Sequence, residues 1–87
     1  MKHADADTLA RLSYLLDGVR QHAALTEKSP GIFYMRALPF LHFHDDPSGI
    51  FADVKLDFGS YSRHRVSTRR EQKALLGRIV RCLNRRG

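Results

Sequence analysis

The sequence predicts a small α+β domain, a two-layer sandwich with the element order α-β-β-β-β-α. Apolar residues recur at helical spacing at both ends of the chain, alternate with polar residues in short runs between them, and the runs are separated by Pro and Gly. With 87 residues, the chain has enough apolar surface for one modest core. We therefore expect a single domain over residues 1–87, with an antiparallel meander sheet and both terminal helices on one face.

One amphipathic helix is predicted to open the chain. The segment "ADADTLARLSYLLDGVRQHAAL" at 4–25 has apolar residues at helical spacing, and Asp5 or Asp7 is available to cap it. The following "TEKSPG" at 26–31 predicts a break, because Pro30 and Gly31 both oppose helix.

Four strands are predicted next, at 32–35, 40–45, 50–56 and 61–66. Pro39 lacks an N–H, so "RALP" is expected to form a tight connection or a bulge. "DPSG" at 46–49 is a good turn sequence, since Pro47 pre-sets φ and Gly49 can adopt φ above zero.

The last segment, "STRREQKALLGRIVRCLNRRG", predicts a second amphipathic helix. It starts with a capping box, in which Thr68 is followed three residues later by Glu71. Its apolar face contains Leu75, Leu76, Ile79, Val80, Cys82 and Leu83, and Arg70, Lys73, Arg78, Arg81 and Arg85 lie opposite. Cys82 is expected to be a buried, inert thiol.

The hairpin around "DPSG" predicts a strand register. Asp45 would pair with Ile50, and side-chain alternation then places His42 opposite Asp53 on the face away from the helices. A three-residue turn at 58–60 would add Arg65 beside Asp53, Arg63 beside Lys55 and Tyr61 beside Asp57. The predicted open face therefore carries Phe40, His42, His44, Phe51, Asp53, Lys55, Tyr61, Arg63 and Arg65.

The charge distribution favours an anionic partner, with nucleic acid as the first hypothesis. The net charge is +6, and nine basic residues but one acidic residue lie at 63–86. Aromatic and basic side chains on the open face resemble a stacking platform for single strands, and the last helix offers a second basic surface. The predicted anion-binding residues are Lys55, Arg63, Arg65, Phe40, Phe51, Tyr61, Arg70 and Arg81.

Two alternatives use the same open face. His42 and His44, with Asp53 or Asp46 as third ligand, would bind a divalent metal, the one cofactor that the sequence suggests. The sequence does not place His3, His22 or His64 near them. Alternatively, the aromatic residues of this face would be buried in a homodimer. A plain hydrogen bond between His42 and Asp53 is the structural alternative to both.

The sequence favours a binding module over an enzyme. No nucleophile is marked beside a His and carboxylate pair, and P-loop, GxGxxG and G-x-S-x-G motifs are missing. We therefore predict no catalytic residue. With a single cysteine and no apolar run near ~18 residues, a cytoplasmic protein without a membrane partner is expected.

The block "GIFYMRALPFLHFHDDPSGIFADVKLD" resembles the hairpin region of the small bacterial MmcQ/YjbR proteins. The resemblance covers about 30 residues. It implies a frataxin-like architecture, with terminal helices on one face of an antiparallel sheet, and adds support for DNA binding. The turn "RALP" departs from the glycine-lysine turn of that family, and no functional residue is carried over.

Overall fold

The computed structural model describes residues 2–57 and 59–86, and these form six strands and three helices. The strands are β1 (Lys2–His3), β2 (Leu25–Ser29), β3 (Ile32–Met35), β4 (Leu38–Asp46), β5 (Gly49–Val54) and β6 (Ser62–Arg65). The helices are α1 (Ala6–Ala10), α2 (Ser13–Arg20) and α3 (Arg69–Arg86).

The predicted fold class is confirmed. The strands β2 to β6 form an antiparallel meander in sequence order, and β1 pairs with β4 beyond the end of β3. Helices α2 and α3 contact each other and pack their apolar sides on one face of this sheet. The core between these layers contains Leu12, Leu15, Leu16, Val19, Phe33, Leu41, Phe43, Ala52, Val54, Leu75 and Ile79. No helix in the described ranges has the length and apolar character needed to cross a membrane.

The expectation of one continuous N-terminal helix was wrong, since the chain turns at residues 11–12 between α1 and α2. The buried side chain of Gln72, on α3, stabilises this turn because its Nε2 donates to the carbonyl oxygen of Arg11, at 3.2 Å. Periodicity does not reveal the turn, because Leu12 remains buried on the same apolar side. Asp5 caps α1 as predicted, accepting from the Thr8 N–H at 2.9 Å.

Strands β1 and β2 were not predicted. The segment at 26–31 is a hairpin end, in which Gly31 has a φ of 77° in the turn between β2 and β3. Most residues of β2 are polar and exposed, as is common in an edge strand, so its side chains alternate only weakly between apolar and polar. An ion pair of 2.7 Å between Arg20 and Glu27 connects this edge to α2.

A bulge in β4 changes the position of Phe40. Phe33 pairs with Leu41, whereas Tyr34 pairs with Pro39, so β4 contains one extra residue at this point. The alternatives that "RALP" predicted, a tight connection or a bulge, are both present, since residues 36–37 form the turn between β3 and β4 and the bulge follows it. Phe40 is only 1% exposed and belongs to the hydrophobic core. The expectation that Phe40 lies on the open face was wrong, because strict alternation fails at a bulge.

The register predicted from "DPSG" is confirmed, with Asp45 opposite Ile50 and His42 opposite Asp53. The β5–β6 register was wrong by two residues: Arg63 lies opposite Asp53, and Arg65 lies opposite Phe51. The connection runs over residues 55–61, longer than the expected three-residue turn, of which residue 58 lies outside the described residues. A shift of two preserves the face on which each side chain lies.

The N-terminus of α3 forms as predicted. The Thr68 hydroxyl accepts from the Glu71 N–H at 3.1 Å, and the Glu71 carboxylate accepts from the Thr68 N–H at 3.0 Å. Further along α3, Cys82 is fully buried, and its thiol donates to the Leu56 carbonyl oxygen at 3.0 Å.

Candidate metal centre

Four strands bring three histidines and an Asp–Arg pair together on the face of the sheet away from the helices. His42 and His44 are two residues apart on β4, so both project to this face. Asp53 on β5 lies opposite His42, and Arg63 on β6 lies opposite Asp53. On the other side of β4, His3 lies opposite His44. The cluster is thus assembled by antiparallel pairing between residues distant in sequence.

Asp53 is the buried centre of the cluster, with 6% of the residue exposed. Arg63 binds it with both arms of its guanidinium, with Nε 2.8 Å from Oδ1 and Nη2 2.9 Å from Oδ2. The hydrogen bonds from Arg63 hold the pKa of Asp53 below its ordinary value, against the opposing effect of burial. Asp53 is therefore a carboxylate at neutral pH and available as an anionic ligand.

The two imidazoles of β4 converge on one carboxylate oxygen. The Oδ2 atom of Asp53 lies 3.1 Å from Nε2 of His44 and 3.4 Å from Nε2 of His42. Each of the three residues offers one ligand atom within 4.8 Å of the others. With bonds of about 2.0–2.2 Å, adjacent ligands of one metal ion are about 3.0–3.5 Å apart. Both distances to Oδ2 lie in that range, and they are also those of direct imidazole–carboxylate contacts. The three ligand atoms together span up to 4.8 Å, so the side chains would move closer together around an ion.

The sequence did not place His3 near this pair, whereas the structure does. Its ring centroid is 5.2 Å from that of His44 and 6.4 Å from that of His42, which are themselves 4.8 Å apart. Two imidazoles on one metal have centroids roughly 4.5 to 6.5 Å apart, given metal–nitrogen bonds of about 2.0–2.1 Å. His3 is exposed, so its ring has room to turn toward the cluster. It is the one cluster histidine that sequence reasoning missed, because two residues of β1 carry no strand pattern.

Burial lowers the pKa of His42, and the nearby imidazoles of His44 and His3 lower it further, while the Asp53 carboxylate opposes this effect. A neutral imidazole keeps the lone pair that a metal requires. His64 lies on the opposite face, where its Nε2 is 2.9 Å from the Ser62 hydroxyl oxygen. Its pKa is lowered by burial and by the Arg78 guanidinium.

We expect the metal-free protein to lose stability as the pH falls from 7 toward 5. The pKa values of His42 and His64 are lowered from 6.5 in the folded chain, so the unfolded chain binds these protons more strongly. Their contribution to the free energy of unfolding is complete above about 6.5 and falls below it. Urea unfolding at several pH values with a chelator measures this slope. His64→Gln should make it shallower, and an unchanged slope would contradict this.

The structure distributes the residues of the predicted stacking platform between the core and the sheet surface. Phe40 is in the core, and Phe51 is partly buried. Arg63 pairs with Asp53, and Arg65 pairs with Glu71 through contacts of 2.9 and 3.0 Å. The remaining two residues contact each other, since the Lys55 ammonium lies 4.9 Å from the Tyr61 ring centroid.

Arg70 and Arg81, the predicted anion-binding residues of the last helix, are exposed on α3. No ion pair involves either of them in the part of the chain that the structure describes. Among the predicted anion-binding residues, Arg63 and Arg65 of the sheet are thus in ion pairs, whereas Arg70 and Arg81 are in none that the described residues form.

Large hydrophobic side chains are exposed at two described positions, Leu38 at 67% and Tyr61 at 40%. The predicted sheet-face homodimer therefore gains no support from a continuous apolar surface, and it stays a prediction.

Comparisons with known proteins identify no relative: no protein-family model, curated protein or solved structure matches the chain. The resemblance to the MmcQ/YjbR proteins likewise stays a prediction.

Proposed function

We propose that this protein binds a divalent transition-metal ion through His42, His44 and Asp53. One observation carries the proposal: Oδ2 of a buried carboxylate lies 3.1 and 3.4 Å from two imidazole nitrogens, which are the separations of neighbouring ligands on one ion.

The donor set favours zinc and its first-row neighbours over magnesium or calcium. Two imidazole nitrogens and one carboxylate oxygen suit Zn²⁺, Co²⁺, Ni²⁺ or Fe²⁺, whereas Mg²⁺ and Ca²⁺ bind mainly oxygen ligands. Three protein ligands leave a coordination position open, and exposed His3, whose ring centroid is 5.2 Å from that of His44, would supply a fourth nitrogen if its ring turned toward the cluster. The ion would then connect β1 to β4.

Arg63 has two opposing effects on the proposed site. Its guanidinium binds both oxygens of Asp53, through Nε to Oδ1 and Nη2 to Oδ2, and so holds the carboxylate beside the imidazoles, as hydrogen-bonding partners of metal-binding carboxylates commonly do. Its positive charge also repels a cation at the same carboxylate. We therefore expect weaker zinc binding than in sites with an uncharged partner.

Titration of untagged, metal-free protein with Zn²⁺, followed by calorimetry and by the visible spectrum of a Co²⁺ form, tests the proposal. We expect one ion per chain and complete loss of this binding in the double variant His42→Ala/His44→Ala. His22→Ala is the matched control, since His22 follows α2 and is not part of the cluster. Equal binding by the double variant and the control would overturn the proposal.

Binding of an anionic partner is the second function that we propose. It is supported by the position of the unpaired positive charges: Arg63 and Arg65 are in ion pairs, whereas the exposed arginines of α3 are not among the ion pairs of the described residues. Retention on immobilised DNA and RNA that decreases with salt is expected. Indifference to both polymers at low salt would contradict it.

A further inference from the structure

Three arginines and a leucine line a groove of about 250 Å³ beside the end of α3. We call it the arginine groove and define it by Leu56, Arg78, Arg81 and Arg85. The arginines are three and four residues apart on α3, so they follow one side of the helix. From the first to the last, the helix rises about 10 Å.

The arginine groove has a concentrated positive charge. Within the described residues, none of its arginines is in an ion pair. The acidic residue in the first turn of α3, Glu71, is already bound by Arg65 and by the Thr68 N–H. The charge of Arg78 also reaches His64, whose pKa it helps to lower. The groove is therefore an uncompensated cationic surface.

The spacing of these charges fits a chain of phosphates. A guanidinium presents a planar fork that matches phosphate oxygens in a bidentate manner. Phosphates repeat along each strand of a nucleic acid, and about 10 Å of helix is long enough to face more than one of them. Leu56 gives the groove an apolar wall for a sugar or a base. A single small anion would use only part of this length.

We infer that the arginine groove receives the phosphodiester backbone of a nucleic acid strand, independently of sequence. This inference rests on the second proposed function and assigns it to α3 instead of the sheet face. It does not depend on the metal centre, which lies on the face of the sheet away from α3.

The test compares two charge-matched double variants. Fluorescence anisotropy with a labelled 20-nucleotide single strand gives the affinity of the full chain between 50 and 200 mM salt. Arg78→Gln/Arg81→Gln should reduce affinity at least about tenfold and lower the slope of log K against log salt by about 1.4. Arg11→Gln/Arg36→Gln removes the same charge from two exposed positions outside the groove and should change both quantities little.

A charge-preserving variant keeps the test decisive should the first one unfold. Arg78→Lys/Arg81→Lys should retain most of the salt slope while losing affinity, because an ammonium lacks the bidentate fork. Equal losses of affinity in the groove variant and its matched control would contradict binding at the arginine groove. They would not contradict the second proposed function. Failure of the unaltered protein to bind at 50 mM salt would overturn both. Arginine-dependent binding to phosphatidylglycerol vesicles in place of the strand would also overturn the inference.

Discussion

Asp53→Ala is expected to lower the free energy of unfolding of the metal-free protein by roughly 2–3 kcal/mol. The carboxylate is buried and is the common partner of Arg63, His42 and His44, so its removal leaves three polar groups facing an empty position. Breaking a buried pair often costs more, but the Arg63 side chain is 51% exposed and regains water. We also expect Zn²⁺ affinity to fall at least about 100-fold.

Urea unfolding with a chelator measures the stability change, and zinc titration of the folded variant measures the affinity. Asp17→Ala is the matched control, because Asp17 is exposed and lies in a surface ion pair of 3.7 Å. It should change the free energy of unfolding by less than about 0.5 kcal/mol. A loss at Asp53 no greater than that at Asp17 would show that the cluster contributes nothing to folding.

Phe40→Ala is expected to destabilise the protein by about 3–5 kcal/mol. The side chain is 1% exposed within the core, so its removal loses buried apolar surface and leaves a cavity. Nucleic-acid affinity of the folded fraction should stay unchanged, since a buried ring cannot stack on a base. Thermal or urea unfolding gives the first quantity, and anisotropy gives the second.

Leu38→Ala, two residues earlier on the same strand, is the control for Phe40. Leu38 is 67% exposed, so its replacement should change stability by about 0.5 kcal/mol or less. A small loss of stability in Phe40→Ala, together with weaker nucleic-acid binding, would show that this ring lies on the open face. That result would contradict the bulge.

Much of the fold could be predicted because its information is local. Helical spacing identified α3, the pattern of Thr68 and Glu71 located its start, and "DPSG" fixed the β4–β5 register. The turn between α1 and α2 was missed because its stabilising contact, from Gln72 to Arg11, joins residues 61 positions apart. Spacing along a segment contains no information about such a contact.

The candidate metal centre was predicted in part, for the same reason. His42, His44 and Asp53 depend on one hairpin and were placed correctly on one face. Arg63 was placed on the correct face but beside the wrong residue, because the length of the β5–β6 connection was misjudged. His3 depends on a pairing between the chain start and β4, which no local pattern signals.

Strand β1 determines how this protein should be purified. The ring centroid of His3 lies 6.4 Å from that of His42 and 5.2 Å from that of His44. A polyhistidine tag joined just before His3 would therefore begin beside the cluster. Added imidazoles there would supply their own ligands and create the appearance of a tight native site. A tag after α3 would instead extend from beside the arginine groove, so a cleaved tag or untagged material suits measurements at both places.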